Sequence, residues 1–301
     1  MYFLATNDVE VFSLAKNRED PNMTNEIYKI GIPRLLEVYS KYDVEATFYY
    51  TGNIVEIKPE VVDIVKAHGH EVGCHSYSHA NNEMLDILSY EEQYRLISKA
   101  KKIIEEAAGP IVSFRAPELR INSFTIKALE KCGFKTDSSI SPQRFDGPLS
   151  FGTKRKMMWL ISHREAYFPS NTNPYFPGSS KVLEIPLSSL IFPYIGATMG
   201  IWPGLFKMIE KLLFFESKRS WKKPICFIIH PGEVLDYKDR EKFLRESSVK
   251  AVVGDVFRQN LKLRYTGKMA VKLLEETLKR AKSDGFHFVS AKRYYTIFKE
   301  G

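Results

Sequence analysis

The 301-residue chain is 44% hydrophobic, 13% aromatic and 27% charged, enough apolar side chain for one large core or two ordinary ones, and the signature of disorder is excluded. Its 44 Lys and Arg exceed the 36 Asp and Glu by eight, which favours acidic partners such as phosphates, nucleotide sugars and anionic lipid head groups, while no nucleic-acid-binding module is recognisable. Three cysteines (Cys74, Cys132 and Cys226), odd in number and without a CxxC pair, argue against a disulfide framework or a thiolate zinc site and fit a reducing compartment.

In chain order, the opening MYFLATNDVE has no basic leader and too short an apolar run for a signal peptide, so the expected location is the cytoplasm. Residues 2–6 read as a strand and 26–42 as a helix, with Ile27, Ile30, Leu35, Val38 and Tyr39 along one side. A strand at 46–50 and a helix at 59–68 follow, then a strand at 71–74 and a helix at 89–108 that Gly109 and Pro110 terminate. The rhythm continues with strand 112–114, helix 123–132 and strand 134–136. After an irregular stretch at 141–180, expected to be an excursion or lid within a single catalytic domain over 1–301, strands recur at 182–185, 225–229 and 286–289. Strands alternating with helices predict parallel βαβ units, in a barrel or a doubly wound sheet; TNDVE after the first strand in place of a glycine-rich fingerprint counts against the dinucleotide-binding folds. No residue between Glu184 and Lys207 is charged, but Pro186, Pro193, Gly196, Gly200, Pro203 and Gly204 interrupt the run, which argues against a spanning helix. Residues 185–223, which end in LFKMIEKLLFF and the basic KRSWKK, fit either peripheral contact with a membrane or, the favoured reading, a core helix with a solvated basic end.

Titratable residues stand at the ends of these strands. Asp8 and Glu10 follow the first, His75 and His79 the third, and Arg115, Asp137 and His230 later ones; in a parallel barrel all carboxyl ends share one face, so these groups are expected to converge. Asp8 and Glu10, two apart on extended chain, point the same way and can face one cavity, although the pair taken alone reads more simply as a solvated strand end. His75 and His79, four apart, would share one face of a helical turn, and two imidazoles with one carboxylate leave the open position that a hydrolytic metal needs. His68 and His70 are read as structural, and a lone His230 after a core strand is of itself more often structural too.

Taken together, TNDVE, GHEVGCHSYSH, FRAP, FKTDSS and IIHP resemble the polysaccharide deacetylase family, the group with a chitooligosaccharide deacetylase homology domain (carbohydrate esterase family 4-like). The resemblance implies a distorted or incomplete (β/α) barrel and a metal-dependent hydrolase that removes N-acetyl groups from a sugar or glycan precursor. It implies Asp8 as general base on the attacking water and Glu10, His75 and His79 as ligands of a divalent ion, with Zn2+ favoured over Fe2+, Co2+ or Ni2+. Arg115 would fix the base, His230 would be the general acid and Asp137 would tune that histidine. The chain departs from much of the family in having Asp8-Val9-Glu10 rather than two adjacent aspartates, and Glu118 where many members have an aromatic residue. Expected substrates are an N-acetylated sugar, a nucleotide sugar or a lipid-linked glycan. The alternatives are hydrolysis of another amide, such as a cyclic imide or ureide, and a non-catalytic carbohydrate-binding relative.

Overall fold

A computed structural model describes residues 1–13, 18–144, 154–237 and 266–301. The main sheet contains β1 (Tyr2–Val9), β2 (Thr47–Tyr50), β3 (Glu71–Cys74), β4 (Ser113–Phe114), β5 (Thr136–Asp137), β6 (Leu183–Glu184), β7 (Ile225–Ile228) and β8 (His287–Phe288). Its order is β7-β1-β2-β3-β4-β5-β6 with every pair parallel, and β8 pairs in parallel with the beginning of β1 at Tyr2 and Phe3. The two ends of this order meet without forming a ladder: the amide of Ser188, just beyond β6, donates to Cys226 O in β7 at 3.1 Å, and the Cys226 amide donates to Ser188 Oγ at 3.0 Å. The result is the expected incomplete (β/α) barrel.

Burial on both faces distinguishes β1, where everything from Phe3 to Val9 is inaccessible, as a parallel strand with helices outside and side chains inside requires. Alternation sorts its residues. Asn7 faces the outer helix Ile32–Tyr42, where it accepts a 2.7 Å hydrogen bond from Tyr39 Oη, whereas Thr6 and Asp8 face the interior and Arg115. The helix expected at 26–42 is present, interrupted by a π-helical turn at Ile27–Gly31. Gly31 allows a close approach there: a Cβ on it would stand 2.7 Å from the carbonyl oxygen of Pro231, in the turn that carries His230. The helix at Tyr90–Ala108 opens with a reciprocal capping box between Ser89 and Glu92.

The strand at 71–74 coincides with its expected bounds, but β1 runs three residues beyond 2–6, so Asp8 lies inside a strand and not after it. Of the stretch at 141–180, residues 145–153 lie outside the described residues. The later part is tied to the barrel: Tyr167 exchanges backbone hydrogen bonds with Glu184 at 2.8 and 3.1 Å, and the Ala166 amide donates to Lys222 O at 2.7 Å.

Candidate metal and catalytic site

Three strand ends bring the site together. Beyond β3 the His75 amide donates to Tyr50 O at 2.7 Å, and Ser76 then adopts a left-handed conformation (φ 59°) held by amides of Gly52 and Asn53 donating to the carbonyls of Ser76 and Tyr77. The helical turn expected to align His75 and His79 is therefore absent; a left-handed residue reverses the chain and achieves the same convergence. Their Nε2 atoms stand 3.1 Å apart. His75 Nδ1 lies 2.8 Å from the carbonyl oxygen of Arg115, which can only accept, so this nitrogen carries the proton and leaves the Nε2 lone pair facing the site.

Glu10 closes the triangle. Its Oε2 contacts His79 Nε2 and lies 3.9 Å from His75 Nε2, and one ligand atom from each of the three residues lies within 4.8 Å of the other two. Apart from its contact with the His79 imidazole, that buried carboxylate oxygen has no hydrogen-bond partner among the described residues. Burial holds His75 down to about 4, hence neutral, as a ligand must be. Burial would raise Glu10, but His79, His230 and His75 outweigh it and hold the carboxyl at about 2. The donor set of two imidazole nitrogens and one carboxylate fits a divalent transition metal and leaves a position open.

Arg115 crosses the barrel interior with its side chain fully buried. Nη1 donates to Asp8 Oδ1 at 2.7 Å and to Thr6 Oγ1 at 2.9 Å, while Nε and Nη2 donate to the carbonyl and hydroxyl oxygens of Ser138, both at 2.9 Å. Burial alone would raise the Asp8 carboxyl; Arg115, with His75 and His230, reverses that and keeps it below the usual carboxylate range. His230 follows β7 with Nε2 3.8 Å from Glu10 Oε1 and Nδ1 3.4 Å from Glu233 Oε2, which also accepts from the His230 amide at 2.9 Å. Burial would depress His230, but Glu233, then Glu10 and Asp8, raise it to about 9. Beside Asp8, Glu10 and His230 opens a cavity of about 210 Å³ whose far wall includes Ile195, Met199 and Ala270.

Asp137 does not take the place expected of it. It is fully buried one strand beyond Arg115, accepts a 2.5 Å hydrogen bond from Ser139 Oγ and shares its surroundings with Glu184 of the adjacent strand, because Asp137 and Glu184 are register partners. The carboxylate against His230 is Glu233, which the sequence reading missed; the pattern HPGE, with an acid three residues into a tight turn, carried that signal. His68 and His70 stand apart from the site, His68 Nδ1 2.7 Å from Ile64 O and His70 Nδ1 accepting from the Ala46 amide at 3.3 Å. Glu118 and Leu119, after the FRAP segment, both have positive φ (51° and 58°), an unusual pair for residues with side chains.

Residues 25–136 match the family model described as polysaccharide deacetylase, a span that includes His75, His79 and Arg115 but not Asp8, Glu10 or His230. A peptidoglycan deacetylase of Helicobacter pylori is 32% identical over 118 residues, 39% of each chain. A peptidoglycan-N-acetylglucosamine deacetylase of Bacillus cereus is 32% identical over 106 residues, 35% of this chain and 47% of that one, so the chain spans less than half of either relative. At the level of fold, a structure from Pseudomonas aeruginosa PAO1 named as a polysaccharide deacetylase superposes with a TM-score of 0.60 at 15% identity, covering 99% of this chain and 91% of the other. The segment at residues 25–136 is thus similar to the polysaccharide deacetylase family, and it is set in an incomplete (β/α) barrel.

Proposed function

We propose that the chain is a metal-dependent hydrolase of carbon–nitrogen bonds that removes the N-acetyl group from an N-acetylated sugar, with Glu10, His75 and His79 as metal ligands, Asp8 as general base and His230 as general acid. The observation that carries this reading is the meeting of Glu10 and the two Nε2 atoms, flanked by an arginine-held carboxylate and a glutamate-held imidazole. Glu10, His75 and His79 would hold a divalent ion, best matched by Zn2+, which would supply polarisation of an acyl carbonyl and acidification of water. Asp8, kept anionic by Arg115, takes the proton from the attacking water as its oxygen bonds to the acyl carbon. The acyl C–N bond then breaks, and His230 donates its Nε2 proton to the departing nitrogen, giving acetate and a free amine. Glu233 anchors Nδ1 and so turns Nε2 toward Glu10.

The family's curated members, and the excess of cationic residues, support an N-acetylated glycan, nucleotide sugar or lipid-linked precursor as substrate. The test is acetate release from N-acetylated sugars and nucleotide sugars by the wild type and by Asp8→Asn and His79→Ala, with metal content measured on each. Asp8→Asn is expected to keep the metal and lose ~10²–10⁴-fold in rate, and His79→Ala to lose both metal and turnover. Activity surviving both substitutions would overturn the assignment.

A further inference from the structure

The helix Pro203–Ser217 has two apolar faces. Phe206, Ile209, Leu213 and Phe214 are buried, as a core helix requires. Met208 (55% exposed), Leu212 (45%) and Phe215 (53%) form a second row at spacings of four and three, which places them along one line of the outer surface. Trp202 at the start of the helix (42%) and Ile191 (57%) are also exposed, with Phe192 against the Trp202 ring at 5.6 Å. Apolar side chains grouped in this way on a helix mark an interaction surface.

Charge identifies the partner. Every exposed residue of this helix is apolar, glycine or lysine: Gly204, Lys207, Met208, Lys211, Leu212 and Phe215, followed by Lys218 and Arg219 beyond its end. Its two acids are turned away. Glu210 is buried against Tyr194 Oη (2.6 Å) and Arg280, and Glu216 is engaged by Arg164 and Lys223. Lys207 pairs with Glu276 at 3.2 Å and Lys218 with Asp284 at 3.0 Å, but Lys211 makes no ion pair among the described residues, and the Arg219 guanidinium lies 4.0 Å from the Phe215 ring centroid. An apolar row bordered by cations, with no exposed acid on the helix itself and the flanking acids Glu276 and Asp284 engaged by Lys207 and Lys218, complements an anionic bilayer surface, where the apolar side chains enter the head-group boundary and the lysines meet lipid phosphates. Among the described residues no helix is long and apolar enough to cross a membrane, so the contact is peripheral.

We infer that Trp202, Met208, Leu212 and Phe215, with Lys207 and Lys211, dock this protein on an anionic membrane. The preceding helix, Gly196–Ile201, lines the cavity beside Asp8, Glu10 and His230, so docking brings the reaction site to a surface that presents lipid-linked glycans. The last point rests on the deacetylase reading; the docking itself does not, because vesicle binding is measured without turnover.

The experiment is co-sedimentation of the full chain with phosphatidylcholine vesicles that contain or lack about 30 mol% phosphatidylglycerol, at low salt and at about 0.5 M salt. The wild type should partition at least tenfold more strongly onto the anionic vesicles at low salt, with the preference collapsing at high salt. The double variant Leu212→Ser/Phe215→Ser, checked for an unchanged melting transition, should lose at least tenfold in binding, and Lys207→Glu/Lys211→Glu should abolish the anionic preference. Wild-type protein that ignores both vesicle types, or a serine variant that binds like the wild type, would overturn the proposal. So would a wild-type dimer in sedimentation equilibrium that Phe215→Ser dissociates while vesicle binding is absent, since the face would then cover a second copy.

Discussion

Two buried carboxylates in this barrel, Asp8 on β1 and Asp137 on β5, occupy similar environments and have opposite electrostatics. Each is held inside the sheet with almost no access to water, where desolvation favours the neutral acid. Asp8 faces the guanidinium of Arg115 at 2.7 Å and is driven to the anion; Asp137 lies beside another carboxyl, Glu184, and burial raises it to about 6 against the hydrogen bonds of Ser139 and Glu184, which lower it. Glu184 is raised further, by burial and then by Asp137, so the pair shares a proton. Burial thus pushes both carboxyls up, and only the Arg115 countercharge reverses that push. Only one of the two carboxyls is held as the anion, and it is the one near Glu10.

The largest expected effect comes from removing the group that reverses the push of burial. Arg115→Met leaves Asp8 buried without its countercharge and should destabilise the fold by about 3–5 kcal/mol in urea unfolding. A loss below about 1 kcal/mol would mean that water or another cation replaces the guanidinium. Asp8→Asn is smaller in stability, about 1–3 kcal/mol, because Arg115 retains Thr6 and both oxygens of Ser138 as acceptors, and it should be far more damaging to turnover than to folding. Equal losses in both would make Asp8 structural.

Glu184→Gln should cost least, under about 1 kcal/mol at neutral pH, since the amide replaces an already neutral acid and its oxygen can still accept from the Ile140 amide. The pH dependence sharpens this. With a folded pKa of about 6 against an ordinary 3.8, Asp137 binds a proton in the folded chain that the unfolded chain has released. Its stabilisation is complete below pH 3.8 and is lost as pH rises through about 6. His70 acts in the opposite direction: burial, with His68, depresses it to about 4, so stability falls as pH drops from 6.5 toward 4. Removing the pair with Glu184→Gln should therefore make stability rise more steeply with pH across that window, and His70→Asn should make it rise less. The same slope in both variants would contradict the proton-sharing pair.

The comparison also shows what the sequence could and could not reveal. The alternation of strands and helices was legible because β1, β2, β3 and β7 are apolar runs separated by amphipathic stretches, and with it the convergence of Asp8, Glu10, His75, Arg115 and His230 on one face. The route by which His79 joins them was not, because a spacing of four is shared by a helical turn and by a loop that reverses at a left-handed Ser76. Asp137 was misjudged for a different reason. Its neighbour Glu184 is 47 positions away and becomes one only through the β5–β6 register, which no local pattern encodes. Glu233, three residues from His230, was within reach of local reading, since a turn opening with Pro231 returns its third side chain to the first amide.

The arrangement of Glu10, His75 and His79 is best tested by crystallising the metal-loaded chain and locating the ion by its anomalous scattering. One peak is expected, about 2.0–2.2 Å from the Nε2 atoms of His75 and His79 and from a carboxylate oxygen of Glu10. A peak bound by the two imidazoles with Glu10 turned away, or no peak between these three side chains, would contradict it.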